Sequence, residues 1–513
     1  MPPTVTPPHL YAHAPSALSL LNALKQACLL SLPLPAGAAA AGMPGWSLLQ
    51  TRFAGEPGGT GAMPEEAPRR SRSAADLASR EAAERRHRIV IVGGGAGGLE
   101  LAARLGDDAG RHGKAEIVLV DAVLTHMWKP LLHEVAAGTL GPQENELNFL
   151  QQARRHHFRF HLGRLETVDR EARQIWLAPL VDEEGMEVAP RRPLAYDTLV
   201  IAIGAIDNDF GTPGVRAHSL SLNSMEEAQR FHRRLLALCA RAEMSTGEAV
   251  RVAIVGGGAT GVELAAELAG AADEIASYGM QLRDLRLPLQ IALLEAGDKL
   301  LAALPDDIAA KAGDDLRGRG VDIRLGARVA EVRADCVMLK GGERIPADLT
   351  VWAAGVQGPE VLQGLDGLET NQRRQLVVHP TLQTTRDANI FALGDCAACQ
   401  PDPDAPPVPP KAQAAQQQAE LLARSLQRHV AGKSLLEFRY QERGNLISLG
   451  RDKAVGNVEA PTGRLHLHGR SARFGYWVLY RKHLSVLLGG LRTAFVTLGQ
   501  WLSKRSQPKV KLH

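Results

Sequence analysis

Cysteine is scarce in this chain of 513 residues: five thiols (Cys28, Cys239, Cys336, Cys396 and Cys399) are scattered along it. That spread excludes a disulfide framework and favours a reducing compartment, with cytoplasmic exposure as the default. Long apolar runs are missing as well. No window offers 18 uncharged apolar residues, so a membrane-spanning helix is not expected. Acid is missing from one region: residues 460–513 hold ten Lys or Arg and no Asp or Glu, which leaves the preceding 459 at net −7 within a chain of net +3. A mildly acidic body therefore carries a strongly basic tail. No nucleic-acid reading motif accompanies that charge, so no nucleic-acid partner is expected.

What is present suffices for a large core. With 45% hydrophobic and 22% charged residues, the chain should divide into two to four domains. Residues 1–85 stand apart, rich in Ala and Pro, with an apolar stretch "LLNALKQACLLSLPLP" that mimics a signal peptide. Lys25 interrupts it, and no Lys or Arg precedes it. The segment reads as a largely disordered extension or an over-long start; the alternative is a targeting or anchoring role.

One line is written twice: "RIVIVGGGAGGLELAARL" from Arg88 and "RVAIVGGGATGVELAAEL" from Arg251. Each is a β-branched apolar run, then G-x-G-x-x-G, then a helical pattern, which is the strand, tight turn and helix of a dinucleotide site. Gly93 and Gly256 permit the turn, Gly95 and Gly258 let backbone approach a pyrophosphate, and Gly98 and Gly261 let helix pack on strand. The helix N-terminus then turns its free N–H groups and positive dipole end toward the phosphates. The acid that takes the ribose hydroxyls is found in both copies, as Asp121 in "IVLVDA" and Glu295 in "IALLEAG". The second interval is longer, through "AADEIASYGMQLRDLRLPLQ", read as an extended helix and loop. A carboxylate at 295 would repel a 2′-phosphate and so favours NADH over NADPH, with Lys299 the one residue able to blur that choice.

The duplication continues. "LAYDTLVIAIGA" (Leu194–Ala205, with Gly204) and "IPADLTVWAAGV" (Ile345–Val356, with Gly355) are matching Asp, apolar strand and Gly segments. "NIFALGDCA" has no partner; it ends a buried strand on Gly394 and Asp395. The fold expected is α/β, with two Rossmann-like dinucleotide-binding domains.

These motifs resemble the two-dinucleotide-binding-domain flavoproteins over about residues 86–430. The resemblance implies that the first module binds FAD, that the second, inserted within it, binds the nicotinamide cofactor, and that Asp395 meets a ribitol hydroxyl. Disulfide reductases of this group carry a redox cysteine pair in the flavin segment or the nicotinamide domain, and none is found here. The single C-x-x-C, Cys396–Cys399, suggests a dithiol or half a zinc site, but no second pair or paired His completes it, so no metal is expected.

Over 86–513 the chain is closely similar to the type II, non-proton-pumping NADH:quinone oxidoreductases in their bacterial membrane form. That likeness rests on "HMWKPLLHEVAAG" (His126–Gly138), "GGGATGVELAAEL", "VWAAGV", "GDCAAC", "PPKAQAAQQQA" (Pro409–Ala419) and the closing "KLH". It implies hydride transfer from NADH to non-covalent FAD and electron transfer to a membrane quinone, and it places Pro130 and Leu131 at the flavin. The family's A-Q-x-A-x-Q quinone motif falls on Ala412, Gln413, Ala415 and Gln417; the two glutamines share a helix face. Lys411 and the start of that helix would stabilise negative charge at the flavin pyrimidine edge. Glu263 is placed by the same resemblance near the nicotinamide or quinone end of the flavin, its plainer role being a helix N-terminal acid. A sulfide:quinone reductase or a flavin- and NADH-binding sensor without turnover is the alternative.

In the tail, Leu484, Leu487, Leu488, Leu491, Phe495, Leu498 and Trp501 recur every three or four residues, and Arg481, Lys482, Arg492, Lys504 and Arg505 surround them. That pattern suits a helix in a phospholipid interface, on the cytoplasmic face of an inner membrane; the alternative is packing on the body or in a homodimer. Removal of residues 471–513 is then expected to release active enzyme. The expected domains are an extension (1–85), an FAD domain in two parts (86–212 and 350–430), an NADH domain (213–349) and a membrane-association region (431–513).

Overall fold

The computed structural model describes residues 86–513 apart from 142–144, 183, 246–248, 279–288, 403, 405, 461–462 and 504–513. The extension 1–85, and the tail's Lys504, Arg505, Lys509 and Lys511, lie outside the described residues.

β1 (His87–Val92) is followed by the glycine turn and α1 (Ala96–Leu105), then β2 (Ala115–Asp121), α2 (Leu132–Ala136), α3 (Phe149–Arg155), β3 (Arg159–Leu162) and β4 (Thr198–Ile201). The chain next builds α4 (Met225–Ser245), β5 (Arg251–Val255), the second glycine turn, α5 (Ala259–Tyr278), β6 (Gln290–Leu294), β7 (Asp322–Arg324) and β8 (Leu349–Trp352). It returns through β9 (Leu376–Val378), β10 (Gln383–Thr384), β11 (Asp387–Ala392) and β12 (Ala397–Cys399) to α6 (Ala412–Val430). An antiparallel sheet of β13 (Gly444–Ser448), β14 (Ala454–Ala460) and β15 (Gly463–Gly469) leads into α7 (Arg470–Leu488) and α8 (Gly490–Ser503).

The first sheet runs β12-β9-β10-β11-β4-β1-β2-β3 and the second runs β8-β5-β6-β7 beyond the short strand Ser219–Leu220. In each the strand before the glycine turn is central and pairs in parallel on both sides: β1 with β4 and β2, β5 with β8 and β6. Parallel strands covered on both faces read as unbroken apolar runs, and β1 and β5 are buried over their last four residues. The copies agree in detail. A three-stranded antiparallel meander stands between β3 and β4, and another between β7 and β8. Asp197 accepts from the Arg88 N–H at 2.7 Å, and Asp348 from the Arg251 N–H at 2.9 Å.

β8 belongs to the second sheet, so the inserted module runs through Trp352, past the boundary expected at 349. The Leu349–Trp352 run is wholly buried between partners of that sheet, which the sequence pattern alone does not assign. The insert's two ends lie side by side: Ile206 pairs with Gln357 and Asp207 with Val356 in an antiparallel ribbon.

The tail also differs from expectation. Gly489, at φ +74°, and Gly490 break the apolar stripe into two helices. Leu484 and Leu487 face the body and are buried, whereas Leu491, Phe495 and Leu498 are exposed. Leu484 packs with Tyr476, Tyr480, Trp128 and Leu131.

Candidate active site

Both glycine turns have the shape that a dinucleotide needs. At Gly93 (φ +104°) and Gly256 (φ +113°) a side chain would strike the carbonyls of Ala202 and Ala353; at Gly98 and Gly261 it would run into the Gly93 and Gly256 carbonyls. At Gly95 and Gly258 a Cβ would meet nothing within 4 Å. The middle glycine of each turn thus fronts open space at a helix N-terminus, the place for a pyrophosphate. Asp121 takes the Gly94 N–H at 2.5 Å and the Val123 N–H at 3.0 Å; Glu295 takes Gly257 at 2.6 Å and Gly297 at 2.7 Å. Each acid therefore holds its turn in shape. Burial pushes the Asp121 carboxyl up, against those amide hydrogen bonds.

Only the first cradle is extended. The short 3-10 turn Lys129–Leu131 carries Pro130 and Leu131, and both are fixed from behind by α7: Tyr476 donates to the Pro130 carbonyl at 2.9 Å, and Leu131 is buried beneath Tyr476 and Tyr480. Lys129 reaches over Gly204 (φ +71°) to the Ala205 carbonyl at 3.4 Å, and its charge opposes the upward push of burial at Asp121, Asp207 and Asp395. Sequence reasoning passed over Lys129; its signal was that it is the one Lys or Arg in "HMWKPLLHEVAAG". Gly394 (φ +72°) donates its N–H to the Oε1 of buried Gln418 at 2.7 Å, so α6 fixes the turn that presents Asp395. Gln418 was also missed, as one of three consecutive glutamines. Gly355 (φ +70°), the second-module match of Gly204, lies against the Phe210 ring.

Lys411, Gln413 and Gln417 converge on the segment after α6. Lys411 Nζ donates to Glu442 at 2.9 Å and Asn445 at 2.7 Å; Tyr440 donates to Gln413 at 3.1 Å. Gln417 exchanges two hydrogen bonds with the Gln441 backbone, at 2.8 and 3.1 Å. Gln416 donates to His483 Nδ1 at 3.0 Å, and His483 Nε2 meets His126 Nε2 at 3.1 Å; His126 Nδ1 meets the Gly94 carbonyl at 2.8 Å. A carbonyl only accepts, so His126 carries its hydrogen on Nδ1, and His483 must carry its own on Nε2. Burial holds both rings neutral, His126 near 4 and His483 well below its ordinary value. Cys396 and Cys399 are free, buried in the first module's core, and burial pushes both thiols up to about 12. They are not thiolates at neutral pH.

Glu263, on the first turns of α5, is buried in a polar cluster. The Ser448 N–H donates to it at 2.9 Å, and His133 Nδ1 stands 3.4 Å away. Arg473 from α7 bonds Ser448 Oγ at 2.9 Å and Glu134 at 3.2 Å, and Thr139 donates to Glu267 at 3.1 Å. Donor atoms of His133, Glu134 and Glu267 come within 4.8 Å of one another. Burial, reinforced by Glu134 and Glu267, pushes Glu263 up to about 8, and burial with Glu134 lifts Glu267 to about 7. Burial drops His133 to about 4. Glu263 is accordingly a protonated acid at neutral pH. β13 links this cluster to Lys411, since Asn445 and Ser448 stand on the same strand about 10 Å apart.

Two dinucleotide cradles, one completed by a GD turn, define a two-module flavin and pyridine-nucleotide oxidoreductase. The sequence matches the pyridine nucleotide-disulphide oxidoreductases over residues 87–419, and the chain belongs to that family. Within it the chain is a type II NADH:quinone oxidoreductase: it is 42% identical to the enzyme of that name from Haemophilus influenzae, over 83% of this chain and 99% of that one. The demethylphylloquinone reductase NdbB of Synechocystis is 32% identical over 72% of this chain and 86% of its own length. The NDH2 structure from Plasmodium falciparum in complex with NADH shares the fold, with TM-score 0.71, 19% identity and coverage of 83% of this chain and 100% of that one. The Aquifex aeolicus sulfide:quinone oxidoreductase also shares it, at TM-score 0.61 and 19% identity, over 79% of this chain and 92% of that one. The reaction is the transfer of electrons from NADH to a quinone by way of a bound flavin.

Proposed function

We propose that FAD is the resident flavin, seated at Gly93, Gly95, Gly98, Asp121, Pro130, Leu131, Gly204, Gly394 and Asp395, and that NADH binds at Gly256, Gly258, Gly261, Glu295 and Gly355. The observation that carries this division is the unequal completion of the two cradles: a carboxylate stands at both turns, Asp121 at one and Glu295 at the other, but one alone is completed by the GD turn and α6. When bound, FAD supplies the two-electron chemistry that couples a hydride donor to a quinone.

Quinone reduction consumes a proton beyond the hydride, and Glu263 is the group that holds one. Its Oε1 accepts from the Ser448 amide and its Oε2 faces His133, so the carboxyl is fixed in orientation while burial keeps it protonated. Gln413 and Gln417 border the quinone side, with their amides held by Tyr440 and Gln441; Lys411 positions the 442–445 segment through Glu442 and Asn445. The exposed apolar side chains of α7 and α8, Phe474, Trp477, Leu491, Phe495, Leu498 and Leu502, suit insertion into a phospholipid surface. Among the described residues no helix is long and apolar enough to cross a membrane. The reading is a peripheral enzyme on the cytoplasmic side of an inner membrane, with a homodimer as the second reading of the same exposed face.

Stopped-flow mixing of Glu263→Gln with NADH and then with a short-chain quinone tests the reading. Flavin reduction should stay within about twofold of wild type while reoxidation slows by about a hundredfold, the usual scale of one general acid. Equal slowing of both halves removes Glu263 from the quinone step, and a purified protein without a flavin spectrum removes FAD.

A further inference from the structure

A cavity of about 1030 Å³ lies between α3 and the α7–α8 turn, and no residue of either glycine turn lines it. Arg111, Arg154, Arg155 and Arg492 line it, together with Leu488, Phe495 and Val496. Their commitments differ. Arg155 donates to the Leu488 carbonyl and His156 to that of Leu487 at 2.8 Å, so these two cap the C-terminus of α7 and give the cavity its floor. Asp107, also in the lining, is held by His156 at 2.8 Å and by Arg111 at 3.4 Å. Arg154 and Arg492 both line the cavity and are exposed and, among the described residues, neither has a hydrogen-bond or ion-pair partner. Against them stands Glu146, the one carboxylate of the lining without a partner among the described residues. Leu150, one helical turn before Arg154, is 57% exposed, and Leu491 and Phe495 flanking Arg492 are 82% and 73% exposed.

We infer that this cavity is a binding site for one anionic phospholipid, whose phosphate lies between Arg154 and Arg492 and whose acyl chain runs along Leu488, Phe495 and Val496. Two unpaired guanidiniums suit a phosphate's oxygens, and large exposed apolar side chains beside them suit a hydrocarbon chain, so the lining offers both halves of one amphiphile. A quinone ring is neutral, so it would leave the two positive charges uncompensated, whereas a phosphate balances them. The site rests on the membrane reading above and sharpens it from a surface to a single bound lipid.

The test compares flotation of the full-length holoenzyme with vesicles of phosphatidylcholine alone and of phosphatidylcholine with phosphatidylglycerol. Arg154→Gln/Arg492→Gln should weaken binding to the anionic vesicles by about tenfold or more, whereas Arg464→Gln/Arg470→Gln, which removes the same charge elsewhere in the tail region, should weaken it much less. Titration with dihexanoyl-phosphatidylglycerol below its micelle concentration should saturate at one per chain, and inorganic phosphate at the same concentration should not. Equal losses in the two double variants, or phosphate binding as well as the lipid, overturn the site while leaving membrane association intact. A quinone KM raised in the first double variant with unchanged lipid binding makes the cavity a quinone passage and likewise overturns it. A wild-type protein that floats with neither vesicle overturns the membrane reading as well.

Discussion

A methyl group added at Gly258 would meet nothing, whereas one added at Gly261 would strike the Gly256 carbonyl, so neighbouring glycines of one motif should fail in different ways. Gly258→Ala is expected to keep its melting temperature, since nothing is displaced, and to raise the KM for NADH because the methyl fills the approach of the pyrophosphate. Gly261→Ala is expected to lose stability by about 1–3 kcal/mol or more, as overpacking does. Thermal melts and NADH titrations of the pair check this, and equal melting temperatures would sink it. Buried titratable groups make a second prediction. Glu263 and Glu267 hold protons in the fold up to about 8 and 7, while the unfolded chain releases them near 4.5, so they withdraw stability as pH rises through that window. His126 and His133 refuse protons down to about 4 that the unfolded chain takes up near 6.5, so they withdraw stability as pH falls from 6.5 to 4. Between pH 6.5 and 8, of these four groups only the carboxyls act. The melting temperature should fall from pH 6.5 to 8.5, and Glu263→Gln should flatten that slope; an unchanged slope would contradict the protonated state assigned to Glu263.

Helices show where the sequence was readable and where it was not. Both strand, glycine turn and helix units stood in plain view because their signal is local: β-branched residues, three glycines and an apolar helix face within twenty residues. The α7–α8 pair was misread as one stripe because its period survives Gly489; burial of Leu484 and Leu487, against exposure of Leu491 and Phe495, depends on what the body offers, which no periodicity encodes. Gln418, Lys129 and the His126–His483 contact were hidden for a related reason, since their partners lie far along the chain, 357 positions apart for the histidines. The consequence for truncation is direct. Loss of 471–513 would strip Arg473 from Glu134 and Tyr476 from Pro130, and so is expected to inactivate the enzyme rather than free it. A chain ending at Gly489 keeps those contacts and should be active and soluble after membrane washing, which fractionation with an NADH oxidation assay would reveal. On α6, Gln418→Leu orphans the Gly394 N–H and should cost about 1–3 kcal/mol. It should also loosen flavin retention, measurable as free flavin after gel filtration.

For the molecule as a whole, duplication explains more than any single motif. Two modules share one topology, down to the aspartate that ties each fourth strand to the first residue of the glycine-turn unit, yet each keeps a separate core. Their inequality comes from what surrounds them: α6 and the GD turn complete one, and α2 with its polar cluster is wedged against the other. The paired ribbon of Ile206–Asp207 with Val356–Gln357 carries a consequence for how such a chain is made. Strands β1 to β4 leave the ribosome first, but β11, the neighbour of β4, comes only after the whole insert. Joining β11 to β4 across an unstructured insert of about 150 residues would forfeit on the order of 4 kcal/mol in loop closure. An insert that has already folded brings its two ends together and removes that penalty. The enclosed module is therefore expected to mature before the one that encloses it, so the site proposed for NADH would take shape ahead of the site proposed for the flavin.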